Sequence, residues 1–236
     1  MKPSTITHSK HKIFNLHHNR QMSESFITAA FLSVSGGLQD IYTYSSRGHV
    51  FANAQTGNIV LLSQNLFNAN WNKALHYFVP LLFFSLGVAV ATLIRQSFKN
   101  IQYIHWRQIV IMIEIILLFI VGFIPHNLNA AANALVSFSC AMQVQSFRKV
   151  NGYAFASTMC IGNIRSGMDA LCSYRQTHNS QTLLKAFHYF AIIFLFSIGA
   201  GLGSISLLSI GMHTIWISCI LLFASFSIMF IQCEEF

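Results

Sequence analysis

Six stretches of this chain run for roughly twenty residues with very little charge: Ser25–Tyr44, Ala74–Ile94, Trp106–Ile124, Leu128–Phe147, Leu183–Leu208 and Thr214–Ile231. A helix rises about 1.5 Å per residue, so each is long enough to cross about 30 Å of hydrocarbon. In that solvent the backbone must satisfy its own hydrogen bonds, and for segments of this length the helix does so. The composition agrees. A chain that is 54% hydrophobic and 8% charged could not stay in solution as an ordinary domain, which is about a quarter charged. Nucleic-acid binding is excluded on the same ground, because no folded polar face gathers the Lys and Arg residues. The expectation is an all-α polytopic membrane protein.

Two further segments, roughly Thr56–Phe67 and Gly162–Cys172, reach only some 16 to 18 Å, half the membrane. Each follows a polar, glycine-punctuated stretch: RGHVFANAQTGNIV (Arg47–Val60) and NGYAFASTMCIGNIR (Asn151–Arg165). If both segments crossed, the connector carrying Arg95, Lys99 and Arg107 would face away from the basic tail that carries Lys2, Lys10, Lys12 and Arg20. Basic residues gather on the cytoplasmic side, so that arrangement is disfavoured. If both dip in and return, only Arg47 and Lys73 of the 14 Lys and Arg lie outside. The resulting expectation is six transmembrane helices plus two short re-entrant half-helices, with both termini cytoplasmic.

The two polar stretches belong to a longer duplication. At a shift of 104, LSVSGGLQ (Leu32–Gln39) falls on VSFSCAMQ (Val136–Gln143), Gly48 on Gly152, and Phe51–Ala52 on Phe155–Ala156. One inserted residue then aligns GNI at Gly57–Ile59 with GNI at Gly162–Ile164, and a shift of 112 matches HYF at His76–Phe78 to HYF at His188–Phe190. Each half holds an odd number of crossings, so the second half is expected upside down relative to the first, as two inverted-topology repeats. The chain then divides into a basic cytoplasmic tail (1–22), a first membrane repeat (23–124), a second (125–232) and a cytoplasmic C-terminus (233–236). The tail also holds His8, His11, His17 and His18. Such spacing could hold a metal, but a disordered basic tail near anionic lipid is the simpler reading.

Small residues at helical spacing mark close crossings: Gly87 with Ala91, and Gly199 with Gly203 in the duplicate. Backbone that is not helical must be shielded by protein or line a wet cavity. In the first motif Asn53 or Thr56 is suited to cap backbone N–H groups, Gly57 to close approach, and Asn58 to project from the first turn. Gln55 accompanies them, and Ser157, Thr158, Gly162 and Asn163 are the matching polar set in the second. Helix starts of this kind favour an anionic or carbonyl-bearing solute in a dry pocket; the same residues would equally serve to knit the half-helices to the bundle. Gln39 and Gln143 are equivalent amides suited to a pocket. Asp40 is placed to accept from the motif's N–H groups or to bind a cation. Glu114, in IVIMIEIILLFIVG, must be paired or protonated because lipid exposure of a carboxylate is costly. Arg165 and Asp169 are four residues apart and can share a helix face, as a structural bridge or a charged gate.

No catalytic array emerges, and no metal site or cofactor is expected. Cys140, Cys160, Cys172, Cys219 and Cys233 form no CxxC pair and read as small apolar residues. His76 and His188 read as interfacial anchors.

From SGGLQD through GHVFANAQTGN the chain resembles the YoaK family of bacterial inner-membrane proteins, a family defined by a domain of unknown function. The residues that carry the resemblance are Gly37, Asp40, Phe51, Asn53, Thr56, Gly57 and Asn58. In the second half Met142–Gln143 and Ser157–Thr158 match the family pattern approximately, while Ile161 stands where a Thr precedes the glycine. The resemblance covers roughly residues 23–230; it implies an inner-membrane location and no substrate.

Together these features point to a secondary transporter in which a small polar solute, anionic solutes included, binds near the midplane between the two half-helix starts. Asp40, Asn53, Gln55, Thr56, Gly57, Asn58, Gln143, Ser157, Thr158, Gly162 and Asn163 would line that path. Glu114, Arg165 and Asp169 would bias charge or couple protons or ions. The alternatives are a channel lined by the two half-helices and a non-transporting membrane assembly or sensor protein. The expected partners are membrane lipids and the solute; the oligomeric state is open.

Overall fold

The structure, a computed structural model, describes residues 22–99, 105–150 and 152–230. Apart from Met22, the basic tail and the C-terminal segment 233–236 lie outside the described residues. The described chain is all-α apart from one two-residue hairpin. Its eight α-helices are α1 (Phe26–Ser46), α2 (Gln55–Phe67), α3 (Trp71–Phe98), α4 (Trp106–Val121), α5 (Asn129–Ser146), α6 (Cys160–Thr177), α7 (Ser180–Ile210) and α8 (Ile215–Ile228). Two helical stretches, Trp71–Phe98 and Ser180–Ile228, are long and apolar enough by length and composition to cross a membrane.

Helix α1 runs along α7 and also packs on α8, while α5 runs along α3 and also packs on α4. The two 13- and 18-residue elements α2 and α6 lie against α3 and α7 respectively, and α4 meets α8. Close approach sets these crossings. A β-carbon on Gly87 of α3 would fall on the Phe138 carbonyl oxygen of α5, and one on Gly199 of α7 would fall on the Val34 carbonyl oxygen of α1. Gly37 of α1 is equally shut in by the Phe196 carbonyl of α7. Without side chains at these positions, backbone packs on backbone and gains dispersion contact. The apolar core, including Leu32, Tyr42, Ile111, Leu118, Val136 and Leu222, lies where α1, α4, α5 and α8 meet.

Helix boundaries differ from the sequence reading where hydropathy and helix signals part company. The second short segment, expected over Gly162–Cys172, runs from Cys160 to Thr177 and is about 27 Å long, so it is not half-length. Its polar last turn stays helical until His178 takes the left-handed conformation (φ 49°) and donates its N–H to the Tyr174 carbonyl. Helix α4 ends at Val121 rather than Ile124 because its last residues close two short turns, Phe123 N–H to the Ile120 carbonyl and Ile124 N–H to the Val121 carbonyl, just before Pro125. Helices α3 and α7 begin earlier and end later than their apolar cores. The hairpin, β1 (Lys149–Val150) paired antiparallel with β2 (Tyr153–Ala154), was not expected. Its turn holds Gly152 at φ 83°, and the equivalent Gly48 sits at φ 90°, conformations that glycine adopts without a Cβ penalty. In the first half the turn is pinned to α3 by His76, whose Nε2 lies 2.9 Å from the Gly48 carbonyl oxygen. His76 is thus tied to the motif loop.

Candidate functional site

Each polar motif leads from the end of one long helix to the start of the next, α1 to α2 and α5 to α6, and the new helix packs on the long helix that follows it. In the first half the backbone N–H of Asn53 donates to Asp40 Oδ1 at 2.7 Å, and Asn53 Nδ2 donates to the same oxygen at 3.4 Å and to the Gly36 carbonyl at 3.3 Å. Asp40 therefore takes the role of acceptor for the motif's N–H groups. A buried carboxylate accepting charge-assisted bonds is a strong local tie. In the second half the corresponding tie is neutral: Gln143 Nε2 donates to Ser157 Oγ at 3.0 Å and to the Leu32 carbonyl at 3.3 Å.

The capping expected of Asn53 or Thr56 is not made. The N-cap of α2 is Ala54, which forms no side-chain cap, and Thr56 is exposed. Asn58 does the joining instead. Its Oδ1 accepts from the Phe51 N–H at 3.2 Å, and its Nδ2 donates to the Phe51 carbonyl at 2.7 Å and to Gln55 Oε1 at 2.8 Å. Gln55 in turn donates to the Ala52 carbonyl. Asn163 repeats the device by donating to the Ala156 carbonyl, seven residues back, at 2.7 Å. An amide reaching back in this way satisfies loop backbone that would otherwise be buried unpaired. Gly57 is in contact with the Phe51 ring, whereas a β-carbon at Gly162 would meet nothing within 4 Å. Close approach is therefore a feature of the first motif alone.

The two motif loops converge on one face of α1. Gly36 accepts from Asn53, and a β-carbon added to Gly36 would fall on the methyl group of Thr158. Beyond Asp40 the polar chain continues into the core. The Asn53 side chain lies against the Cys140 thiol. That thiol donates to Gln39 Oε1 at 2.7 Å. Gln39 Nε2 donates to Ser35 Oγ at 3.0 Å and reaches Glu114 Oε1 at 3.4 Å. Glu114 is wholly buried, and its Oε2 has no hydrogen-bond partner among the described residues, as is also true of Asn53 Oδ1 and Thr158 Oγ1. Asp40 and Glu114 are thus two buried carboxylates joined through Asn53, Cys140 and Gln39. Among the described residues the one ion pair is Arg107 with Glu24, at 2.8 Å, so neither carboxylate faces a basic partner.

Arg165 and Asp169 do not join this cluster. Both are exposed on α6, and no ion pair forms between them. Their four-residue spacing permits contact, but exposed ends gain little from pairing and lose side-chain freedom by it. Arg47, read as a charge in an external loop, is instead fully buried. It donates to the Tyr42 hydroxyl at 2.6 Å, to the carbonyls of Val121 and Ile124 at 3.0 and 2.8 Å, and to Asn129 Oδ1 at 3.2 Å. Carbonyls at a helix C-terminus carry partial negative charge, which stabilises a cation with no carboxylate beside it. Cys140, read as a small apolar residue, is a hydrogen-bonded link. Its alignment within the first repeat's SGGLQ counterpart was the only signal in the sequence for that.

Two open polar clefts lie away from the buried cluster. One, of about 540 Å³, is lined by Gly48, His49, Asn65, Lys73 and Tyr77; the other, of about 590 Å³, by Tyr153, Asp169, Ala170, Lys185 and Tyr189.

The chain matches the family described as "Protein of unknown function (DUF1275)" over residues 28–228. It is similar to the UPF0700 transmembrane protein YoaK of Bacillus subtilis (strain 168), with 24% identity over 207 residues that cover 82% of this chain and 89% of that one. No solved structure matches. A match spanning all eight helices, and hence both motifs and the buried polar chain between them, makes this chain a member of the DUF1275 family of uncharacterised bacterial membrane proteins.

Proposed function

We propose that the chain is a proton-coupled secondary transporter of a small polar solute. The observation that carries this reading is the pair of buried carboxylates, Asp40 and Glu114, linked by a polar chain at the point where both motif loops reach α1. Ionised carboxylates in hydrocarbon are costly without a partner, and acids of this kind mark proton or ion pathways. A proton taken up at either residue removes that cost, and a proton gradient can then be linked to movement. Asn53, Thr158 and Gln143 supply neutral donors and acceptors suited to a polar solute beside the acids.

The proposed setting is six spanning helices, with α2 and α6 entering from opposite faces and both termini cytoplasmic. The helix contacts support inverted repeats: exchanging α1 with α5, α2 with α6, α3 with α7 and α4 with α8 carries α1–α7 onto α3–α5, α6–α7 onto α2–α3 and α1–α8 onto α4–α5, while the smaller α3–α4 contact has no counterpart of its size. The blocked positions at Gly87 on Phe138 and at Gly199 on Val34 exchange in the same way. Alternating access by rocking of one repeat against the other follows from such an arrangement.

Purified protein in liposomes carrying an internal pH dye tests the reading. With a panel of amino acids, sugars and carboxylates, at least one solute should drive proton entry, and Asp40→Asn or Glu114→Gln should uncouple proton movement from solute movement. Absence of flux for every solute, with no proton movement, would defeat the transporter reading. Solute flux that is unaffected by both substitutions and by the pH gradient would defeat the coupling role.

A further inference from the structure

Helix α6 turns Asn163, Gly167 and Ala170 toward the rest of the chain, and its opposite face is bare. That bare face carries Ile161, Arg165, Met168 and Cys172, spaced by four, three and four residues; Asp169 stands at its edge, where it also lines the cleft shared with Lys185, and all five are exposed. The spacing is that of a seam between packed helices. The equivalent helix α2 is a built-in comparison. At the positions matching Arg165 and Asp169 under the shared GNI register it has Val60 and Gln64, and its outer face, with Ile59, Leu66 and Phe67, suits lipid. Only α6 sets a guanidinium on that face and a carboxylate at its edge. Lipid-facing charge at membrane depth is costly unless it is paired, and the two residues do not pair with each other.

We infer that a second copy of this chain covers the outer face of α6, with Arg165 of each copy paired to Asp169 of the other. A two-fold contact is self-complementary when one face carries both signs, because each pair is then made twice. Ile161 and Met168 fill the seam between the pairs. Gly162, at which a β-carbon would meet nothing within 4 Å, leaves room for the neighbouring helix to approach. The inference uses the membrane setting proposed above but not transport, so a chain that moves no solute would still assemble in this way.

The full-length chain in lipid nanodiscs provides the test, read by particle mass and by oxidative crosslinking through the native Cys172. The wild type should have the mass of two copies and form a crosslinked dimer that Cys172→Ser abolishes. Arg165→Asp and Asp169→Arg, each of which juxtaposes like charges, should each lower the crosslinked fraction on the order of ten-fold. The double exchange, which restores opposite charges, should recover it. The mutated side chains are exposed, and an unchanged melting temperature of each variant in detergent would confirm that the fold is intact. A wild-type mass of one copy would overturn the inference, as would single variants that crosslink like the wild type, the result expected if lipid headgroups cover Arg165. A double exchange no better than the singles would also overturn it.

Discussion

Gly199 and Gly201 lie on the same turn of α7, and the structure sets them apart sharply. A β-carbon at Gly199 would fall on the backbone of α1, with the Val34 carbonyl carbon at 2.7 Å and its Cα at 2.9 Å, whereas one at Gly201 would meet nothing within 4 Å. Carbon atoms pack at about 3.5 to 4.0 Å, so Gly199→Ala requires α1 and α7 to separate by about 1 Å. Backbone cannot rotate out of the way as a side chain can. Overpacking typically costs about 1 to 3 kcal/mol, and backbone on both sides puts this site near the upper end. Alanine is a better helix former than glycine by about 1 kcal/mol, which leaves a net loss of about 2 kcal/mol at 199 and a gain of up to about 1 kcal/mol at 201. For a chain of this size, 1 kcal/mol shifts the melting temperature by about 2 to 4 °C. Thermal unfolding in detergent, followed by tryptophan fluorescence, should therefore show Gly199→Ala lowered by about 4 to 8 °C and Gly201→Ala unchanged or slightly raised. Gly87→Ala, with the Ala141 methyl at 2.8 Å and the Phe138 carbonyl carbon at 3.1 Å, should behave as Gly199→Ala does. Equal melting of the 199 and 201 variants would refute the argument from close packing.

Arg47→Met should destabilise by about 1 to 3 kcal/mol, because it strands the Ile124 carbonyl and the Tyr42 hydroxyl in the core; the same melting assay reads the loss, and Arg47→Lys should recover part of it. Asn58→Ala removes three hydrogen bonds and Asn163→Ala removes one, so amide exchange should quicken more over residues 50–58 than over 155–163. His105 accepts at the N-terminus of α4 from the Arg107 N–H, and burial, aided by the Arg107 charge, pushes its pKa down to about 4. The unfolded chain, in which the imidazole titrates near its ordinary 6.5, then binds more protons than the folded one between these values. Stability should hold above pH ~6.5 and fall as the pH drops toward ~4. A His105→Asn variant, which keeps the cap but does not titrate, should lose that part of the pH dependence in melting experiments.

The parts of the fold that were legible in the sequence share a cause. Apolar length marks where a helix can lie in lipid, and the order of the eight helices follows from it, although α6, with 18 residues, is longer than α4 and α8; small residues at helical spacing mark the close crossings at Gly87 and Gly199. Hydropathy does not mark where a helix stops. The end of α6 depends on His178 adopting a left-handed conformation, and a histidine carries little signal for that. Roles that depend on tertiary contact were harder to read. Asn58 looked like a projecting ligand because its position in the first turn is visible in sequence. Its return to Phe51, seven residues earlier, depends on the loop's path. Arg47 was grouped with exposed charges because its partners are backbone carbonyls, which every sequence has and none displays. For Asp40 the sequence offers two roles, acceptor for the motif's N–H groups or cation ligand, since either offsets a carboxylate late in that helix; the Asn53 N–H fills the first.

The duplication makes Asp40 stand out, because its counterpart at the same shift is Val144. Both halves tie the motif loop to the preceding helix, the first through a carboxylate and the second through Gln143 and Ser157. Only the first tie changes strength when a proton binds, since protonation removes the charge that makes the bond to Asn53 strong. A proton would therefore loosen one motif and leave its copy held, and under the transport reading proposed above that difference is what would couple proton binding to movement of one half. Asp40→Asn isolates that effect by keeping an acceptor oxygen and removing the charge. The bond should weaken by roughly half, and amide exchange at residues 50–55 should quicken while residues 154–159 stay unchanged. Asp40→Ala leaves the buried Asn53 N–H without a partner and should cost about 1 to 3 kcal/mol. Ser157→Ala, after which Gln143 still reaches the Leu32 carbonyl, should cost less. Raising the pH should leave the exchange pattern of Asp40→Asn flat once intrinsic exchange rates are divided out, while the wild type tightens over residues 50–55 alone. If both motifs of the wild type loosen together as the pH falls, the charged tie is not the switch, and the two halves respond as one body.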